Sequence, residues 1–129
     1  ILLEQIKKIK ETKKKLIKLY LYYKKRLNEI NDIVLVDAKL VTGRIPLYIE
    51  CYSKKKNLIF NRIKNSKKMI RVNYQSLHKT EYFQKFLSNK KTFKNSNNYN
   101  KYSFYFPSGP DQDTKKIDVL LNNVKKILN

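Results

Sequence analysis

Glycine is almost absent from this chain. Of its 129 residues two are glycine, three proline, one cysteine, one histidine and none tryptophan. Each shortage closes off a kind of chemistry. With only Gly43 and Gly109, no glycine-rich loop can cradle a phosphate, so nucleotide hydrolysis on such a loop is not expected. Cys51 has no second cysteine to pair with, which excludes a scaffold built on internal disulfides. One cysteine and one histidine cannot fill a tetrahedral zinc site, and no metal or other cofactor is expected. No apolar run approaches the roughly 18 residues of a membrane span, and no signal-peptide pattern is present. The chain begins at Ile1, as a trimmed or processed product would.

Acidic residues are the other scarcity. There are 10 Asp and Glu against 30 Lys and Arg, a net charge of +20. So large a charge repels itself in a compact fold unless something anionic neutralises it. Lys, Asn, Ile and Tyr are over-used, as AT-rich coding DNA alone would produce. Such drift would not remove Asp and Glu, however, whose codons are also AT-rich. Between Glu50 and Asp111 the only acid is Glu81, against 14 lysines and arginines from Lys54 to Lys101. The anion-binding surface is expected there.

Apolar periodicity predicts the elements. Leu2, Ile6, Ile9, Leu16, Tyr20, Tyr23, Leu27 and Ile30 recur at spacings of three and four, which predicts one helix over residues 1–31 with Lys13 breaking its seam. Near-heptad spacing suits a partner helix or the protein's own domain. Ile33 to Val41 predicts a lead-in strand. Ile45 to Tyr52 predicts a half-buried strand with Ile45, Leu47, Ile49 and Cys51 inward, residues 53–57 a hairpin loop, and Leu58 to Ile63 the return strand. Met69 to Val72 predicts a short strand, and Leu77 to Leu87 a helix with Phe83, Phe86 and Leu87 on one face. Asn89 to Lys101 reads as an exposed low-complexity loop. Tyr102 to Phe106 predicts a strand, residues 107–110 a turn, and a final helix capped by Asp111 or Asp113 carries Ile117, Leu120, Leu121, Val124 and Leu128 on one face. The expected fold is α+β: a basic helical extension over 1–32, then a small β-β-α-β-α domain over 33–129 with helices on one face of the sheet.

Catalysis finds little support in these residues. Cys51 and His78 could form a nucleophile and base, but Cys51 has the inward parity of a strand, and buried cysteines are usually inert. Asp111-Gln112-Asp113 opens like a calcium loop, yet Lys116 and Asn122 occupy the positions that need Gly and Glu. The basic surface remains. Lys54, Lys55 and Lys56, followed by Arg62, Lys64, Lys67, Lys68 and Arg71, supply sequence-independent affinity for phosphates. Arg44 and Arg62 can fork onto phosphate, and ten tyrosines offer stacking partners for unpaired bases.

Ile45 to Ile63 resembles the opening of the mitochondrial large-subunit ribosomal protein 49 family, through Pro46, Tyr48, Leu58, Arg62 and Ile63. The resemblance covers residues 45–129. The Gly-acid pair of that family is replaced here by Lys64-Asn65-Ser66. The resemblance implies a non-enzymatic structural constituent of an organellar ribosome. Its partners would be rRNA and, through the N-terminal helix, neighbouring ribosomal proteins, with no small-molecule substrate. The expected location is the mitochondrion, or alternatively the cytoplasm. The residues leave two other readings open: a helical interaction subunit of a large complex, and a basic peripheral membrane protein.

Overall fold

The computed structural model describes residues 2–63, 69–87 and 93–129. Its helices are α1 (Leu2–Lys7), α2 (Ile9–Leu27), α3 (Lys56–Arg62), α4 (Glu81–Gln84), α5 (Lys94–Tyr102) and α6 (Thr114–Leu128). Its strands are β1 (Val34–Leu35), β2 (Ile49–Tyr52), β3 (Arg71–Val72) and β4 (Ser103–Phe106). The strands form one antiparallel sheet in the order β1-β2-β4-β3. This is the α+β class expected from the sequence.

Strand parity divides the sheet into two faces. Ile49 and Cys51 of β2 pair with Phe106 and Phe104 of β4, and all four are buried. Against that face lie Leu19, Tyr20, Tyr23 and Leu27 of α2, Ile59 of α3, and Ile117, Leu120, Leu121, Val124 and Leu128 of α6. The Tyr23 ring stacks on Phe106 at 5.7 Å, and Phe104 meets Phe106 edge-on at 5.3 Å. α2 and α6 are also pinned by polar bonds. The Tyr22 hydroxyl donates to Asp118 Oδ1 (2.5 Å), and Arg26 Nε donates to the same oxygen (3.0 Å). The Asp113 carboxylate accepts from the Lys115 N–H (2.9 Å) and so caps α6, one of the two caps the sequence offered.

Segment 1–32, which charge and periodicity set apart, therefore supplies much of the core. Leu16, Tyr20, Tyr23, Leu27 and Ile30 of the seam are buried within this chain. Leu19 is buried too, although its spacing did not single it out. Ile6 and Ile9 are 54% and 57% exposed, and Leu2 belongs to α1, which a turn at Lys8 separates from α2.

Three segments differ from expectation. Leu58 to Ile63 is not a return strand. Ser53 turns the chain, its carbonyl accepting from Lys56 N–H (3.2 Å) and its hydroxyl from Lys55 N–H (3.1 Å). The helix that follows buries Ile59 and then Ile63 one turn later. Residues 94–101 of the presumed loop form α5 instead. Asparagine is a poor helix former, but tertiary bonds hold the segment: Ser96 O accepts from Ser76 Oγ (3.2 Å), Asn97 bonds His78 (3.1 Å), and Asn100 Nδ2 donates to Tyr74 O (2.5 Å). Residues 89–92 of that loop lie outside the described residues. Finally, Ile45 and Leu47 are exposed, so β2 begins only at Ile49. Between Leu77 and Leu87 the helix shrinks to a 3₁₀ turn (Leu77–Lys79) and α4, leaving Phe86 and Leu87 exposed.

Candidate functional site

β3 is an edge strand two residues long, and beside it opens a groove of about 740 Å³. Phe60 of α3 and Ile117 and Leu120 of α6 line one side, Tyr48, Tyr74 and Tyr105 another. Arg71 of β3 and Lys116 in the first turn of α6 are its basic residues, with Ser108 and Gln112 completing the polar lining. Among the described residues the lining holds no acid, and neither Arg71 nor Lys116 has an acidic partner. An apolar concavity with a few polar groups is the usual form of a small-molecule site. Arg71 and Lys116 give this one a positive charge.

The outer face of the sheet sets the groove's aromatic wall. Arg71 pairs with Tyr105, and Tyr105 pairs with Glu50, so the three form one row across β3, β4 and β2. The Tyr105 hydroxyl donates to Asn73 Oδ1. Asn73 Nδ2 in turn donates to Glu50 Oε1 (3.2 Å) and Ser103 Oγ (2.7 Å). The Glu50 carboxylate also acts on the Tyr99 phenol of α5 and helps to raise it. Glu50 is thereby occupied by its neighbours and does not line the groove.

Burial, and then the Glu50 carboxylate, push the Tyr105 phenol up to about 12. The same two causes raise Tyr99, and burial raises Tyr23. Unfolded tyrosines ionise near pH ~10. Above that pH the unfolded state binds fewer protons than the folded one, so stability falls as pH rises. Phenolate absorbance is expected to show Tyr23, which is fully buried, titrating only together with unfolding. Ordinary titration of all ten tyrosines in a chain whose circular dichroism is unchanged would contradict the buried placement.

The basic residues singled out in the sequence have different surroundings. Arg71 lines the groove. Arg44 is exposed in the loop before β2, Lys54 is exposed in the turn before α3, and Arg62 is exposed on α3. Lys55 is paired with Asp32 (2.8 Å). Lys56 is buried, its Nζ donating to Asn100 O (3.1 Å), and burial holds its ammonium below the ordinary lysine range. Lys64, Lys67 and Lys68 lie outside the described residues. Cys51 is buried, which pushes its thiol up and away from thiolate chemistry. His78 stacks on Phe93 at 4.5 Å and bonds Asn97. Tyr74, Tyr105 and Lys116 were not legible as a site, because nothing in their spacing brings residues of β3, β4 and α6 together.

A second, shallower cavity of about 340 Å³ includes Lys24, Asn28 and Asp37 in its lining. It sits beside the C-terminal end of α2, where the helix carbonyls disfavour anions.

The sequence model of the DegT/DnrJ/EryC1/StrS aminotransferase family matches residues 1–125. No curated protein matches the chain. The family match overturns the ribosomal resemblance and, with it, the expectations of a non-enzymatic protein, of rRNA and ribosomal-protein partners, and of no small-molecule substrate. The β-hairpin that carried the resemblance is also not formed, since Leu58 and Arg62 belong to α3.

Amine transfer in this family depends on pyridoxal phosphate, which needs a lysine facing the cofactor and an acid or arginine against its ring nitrogen. The described residues do not provide that set. Lys56, the one buried lysine among them, lines neither cavity and is bonded to Asn100 O. The larger groove holds Lys116 with Arg71 and the smaller holds Lys24 with Asp37, but both lysines are exposed to solvent, not enclosed against a bound ring.

Proposed function

This chain belongs to the DegT/DnrJ/EryC1/StrS aminotransferase family, and from that premise we propose that it binds a carboxylate-bearing amine donor or acceptor in the groove at the β3 edge. An amino acid and the 2-oxo acid it becomes share one recognisable group, the carboxylate. Arg71 offers that group a planar fork of N–H donors. Lys116 adds a point charge. The observation that carries this reading is the presence of both cations in an acid-free groove. The covalent steps of amine transfer are not assigned to the groove, because its one lysine, Lys116, is exposed to solvent.

Calorimetric titration with 2-oxoglutarate tests the reading. Losing a charge-assisted hydrogen-bonding partner costs ~1.5–3 kcal/mol, so Arg71→Ala is expected to weaken binding roughly 10- to 100-fold. Lys116→Ala is expected to weaken it less, because an ammonium meets the carboxylate as a point charge and not through a planar fork. Arg44→Ala should leave affinity unchanged. Equal binding by the wild type and Arg71→Ala would place the ligand elsewhere.

A further inference from the structure

Resting on the proposed carboxylate site, we infer that the substrate class the groove prefers is aromatic: an aryl-bearing 2-oxo acid, or the amino acid it becomes. Arg71 and Tyr105 are direct cross-strand partners on one face of the sheet, so their side chains leave the backbone about 5 Å apart. A carboxylate held by Arg71 therefore carries the rest of its molecule over the Tyr105 ring. That ring does not stand alone. Tyr48 lies against it with centroids 5.2 Å apart, and both line the groove. Tyr105 is also fixed in orientation, since its hydroxyl is bonded to Asn73, which is itself bonded to Glu50 and Ser103.

Tyr74 completes the wall. Its N–H donates to Asn73 Oδ1 (2.9 Å) and its carbonyl accepts from Asn100, so its backbone is held on both sides. Its ring nevertheless remains 80% exposed along the groove. A large ring kept in water beside two others is surface that a flat ligand would cover. Aromatic pairs gain from offset or tilted stacking beyond the area they bury, and a ring already fixed in place loses little freedom when a ligand stacks on it. An aliphatic acid gains none of this.

Charge and stacking make opposite forecasts, which makes the inference testable. Pyruvate and phenylpyruvate each carry one carboxylate, and 2-oxoglutarate carries two. Attraction to a chain of net charge +20 would by itself favour 2-oxoglutarate. Calorimetry with the three acids at one fixed ionic strength is expected to rank phenylpyruvate first, about tenfold tighter than pyruvate. Tyr74→Ala, at an exposed side chain, and Tyr48→Ala should each weaken phenylpyruvate several-fold while leaving pyruvate unchanged. If 2-oxoglutarate binds most tightly, or if the tyrosine variants do not alter phenylpyruvate affinity, the aromatic preference is overturned and the carboxylate site stands. If none of the three acids binds, the carboxylate site falls with it.

Discussion

Deleting residues 1–30 is expected to leave the rest of the chain without a cooperative thermal transition. Composition sets this segment apart as a basic extension, yet its apolar side chains are inside. Leu19, Tyr20, Tyr23, Leu27 and Ile30 belong to the same core as Phe104, Phe106 and the apolar face of α6. Tyr23 is fully buried, stacks on Phe106, and donates its hydroxyl to Pro107 O (3.1 Å). The Tyr20 hydroxyl donates to Val36 O (3.1 Å) and accepts from the Ala38 N–H (3.1 Å), tying α2 to the strand region it precedes. Removing a single buried leucine costs ~2–5 kcal/mol, and a domain of this size has only ~5–15 kcal/mol to lose. Removing the helix also leaves the Asp118 carboxylate without Tyr22 and Arg26. The check is circular dichroism melting of the truncated chain beside the whole one. A truncated chain that melted cooperatively near the parent temperature would show that segment 1–32 is an appendage after all.

Phe104→Ala is expected to be the most damaging of the simple truncations. Phe104 is fully buried at the centre of β4, across from Cys51 on one side and Val72 on the other. Its ring meets Phe60 at 6.0 Å and Phe106 at 5.3 Å, both edge-on. A buried Phe→Ala change costs ~3–5 kcal/mol, which lowers the melting temperature by roughly 10–25 °C in a chain of this length. Val119→Ala, at an exposed position of α6, is the control and should stay within ~0.5 kcal/mol of the parent. A Phe104→Ala protein that melted with that control would remove the β4 face from the core.

Helical periodicity was the most legible signal in this sequence. The apolar face of α6 is buried at each of its five expected positions, Ile117, Leu120, Leu121, Val124 and Leu128. The lower part of the α2 seam is buried as well. Short segments were less legible, because their structure depends on contacts that spacing does not reveal. Leu58 to Ile63 is apolar enough for a strand or a helix, and the turn at Ser53 decides for the helix. Asn95 to Asn100 has the composition of a loop, and bonds from Ser76, His78 and Tyr74 order it.

The site was legible only in part. Arg71 stood out by charge but was grouped with Lys54, Lys55 and Lys56, which the structure distributes over an exposed turn, an ion pair and the protein interior. What distinguishes Arg71 is Tyr105 beside it, far along the chain and visible only once β3 pairs with β4. The total charge was read as an attraction to RNA, whereas the family match directs attention to small molecules. Charge alone does not separate those partners.

The most direct test of the groove is a map of amide chemical shifts as 2-oxo acid is added to the isotope-labelled protein. The expected result is a saturable response confined to residues around Arg71, Tyr105 and Lys116, and lost in Arg71→Ala. A weak, non-saturating response spread over the exposed lysines of α2, with the residues of the groove unmoved, would contradict it.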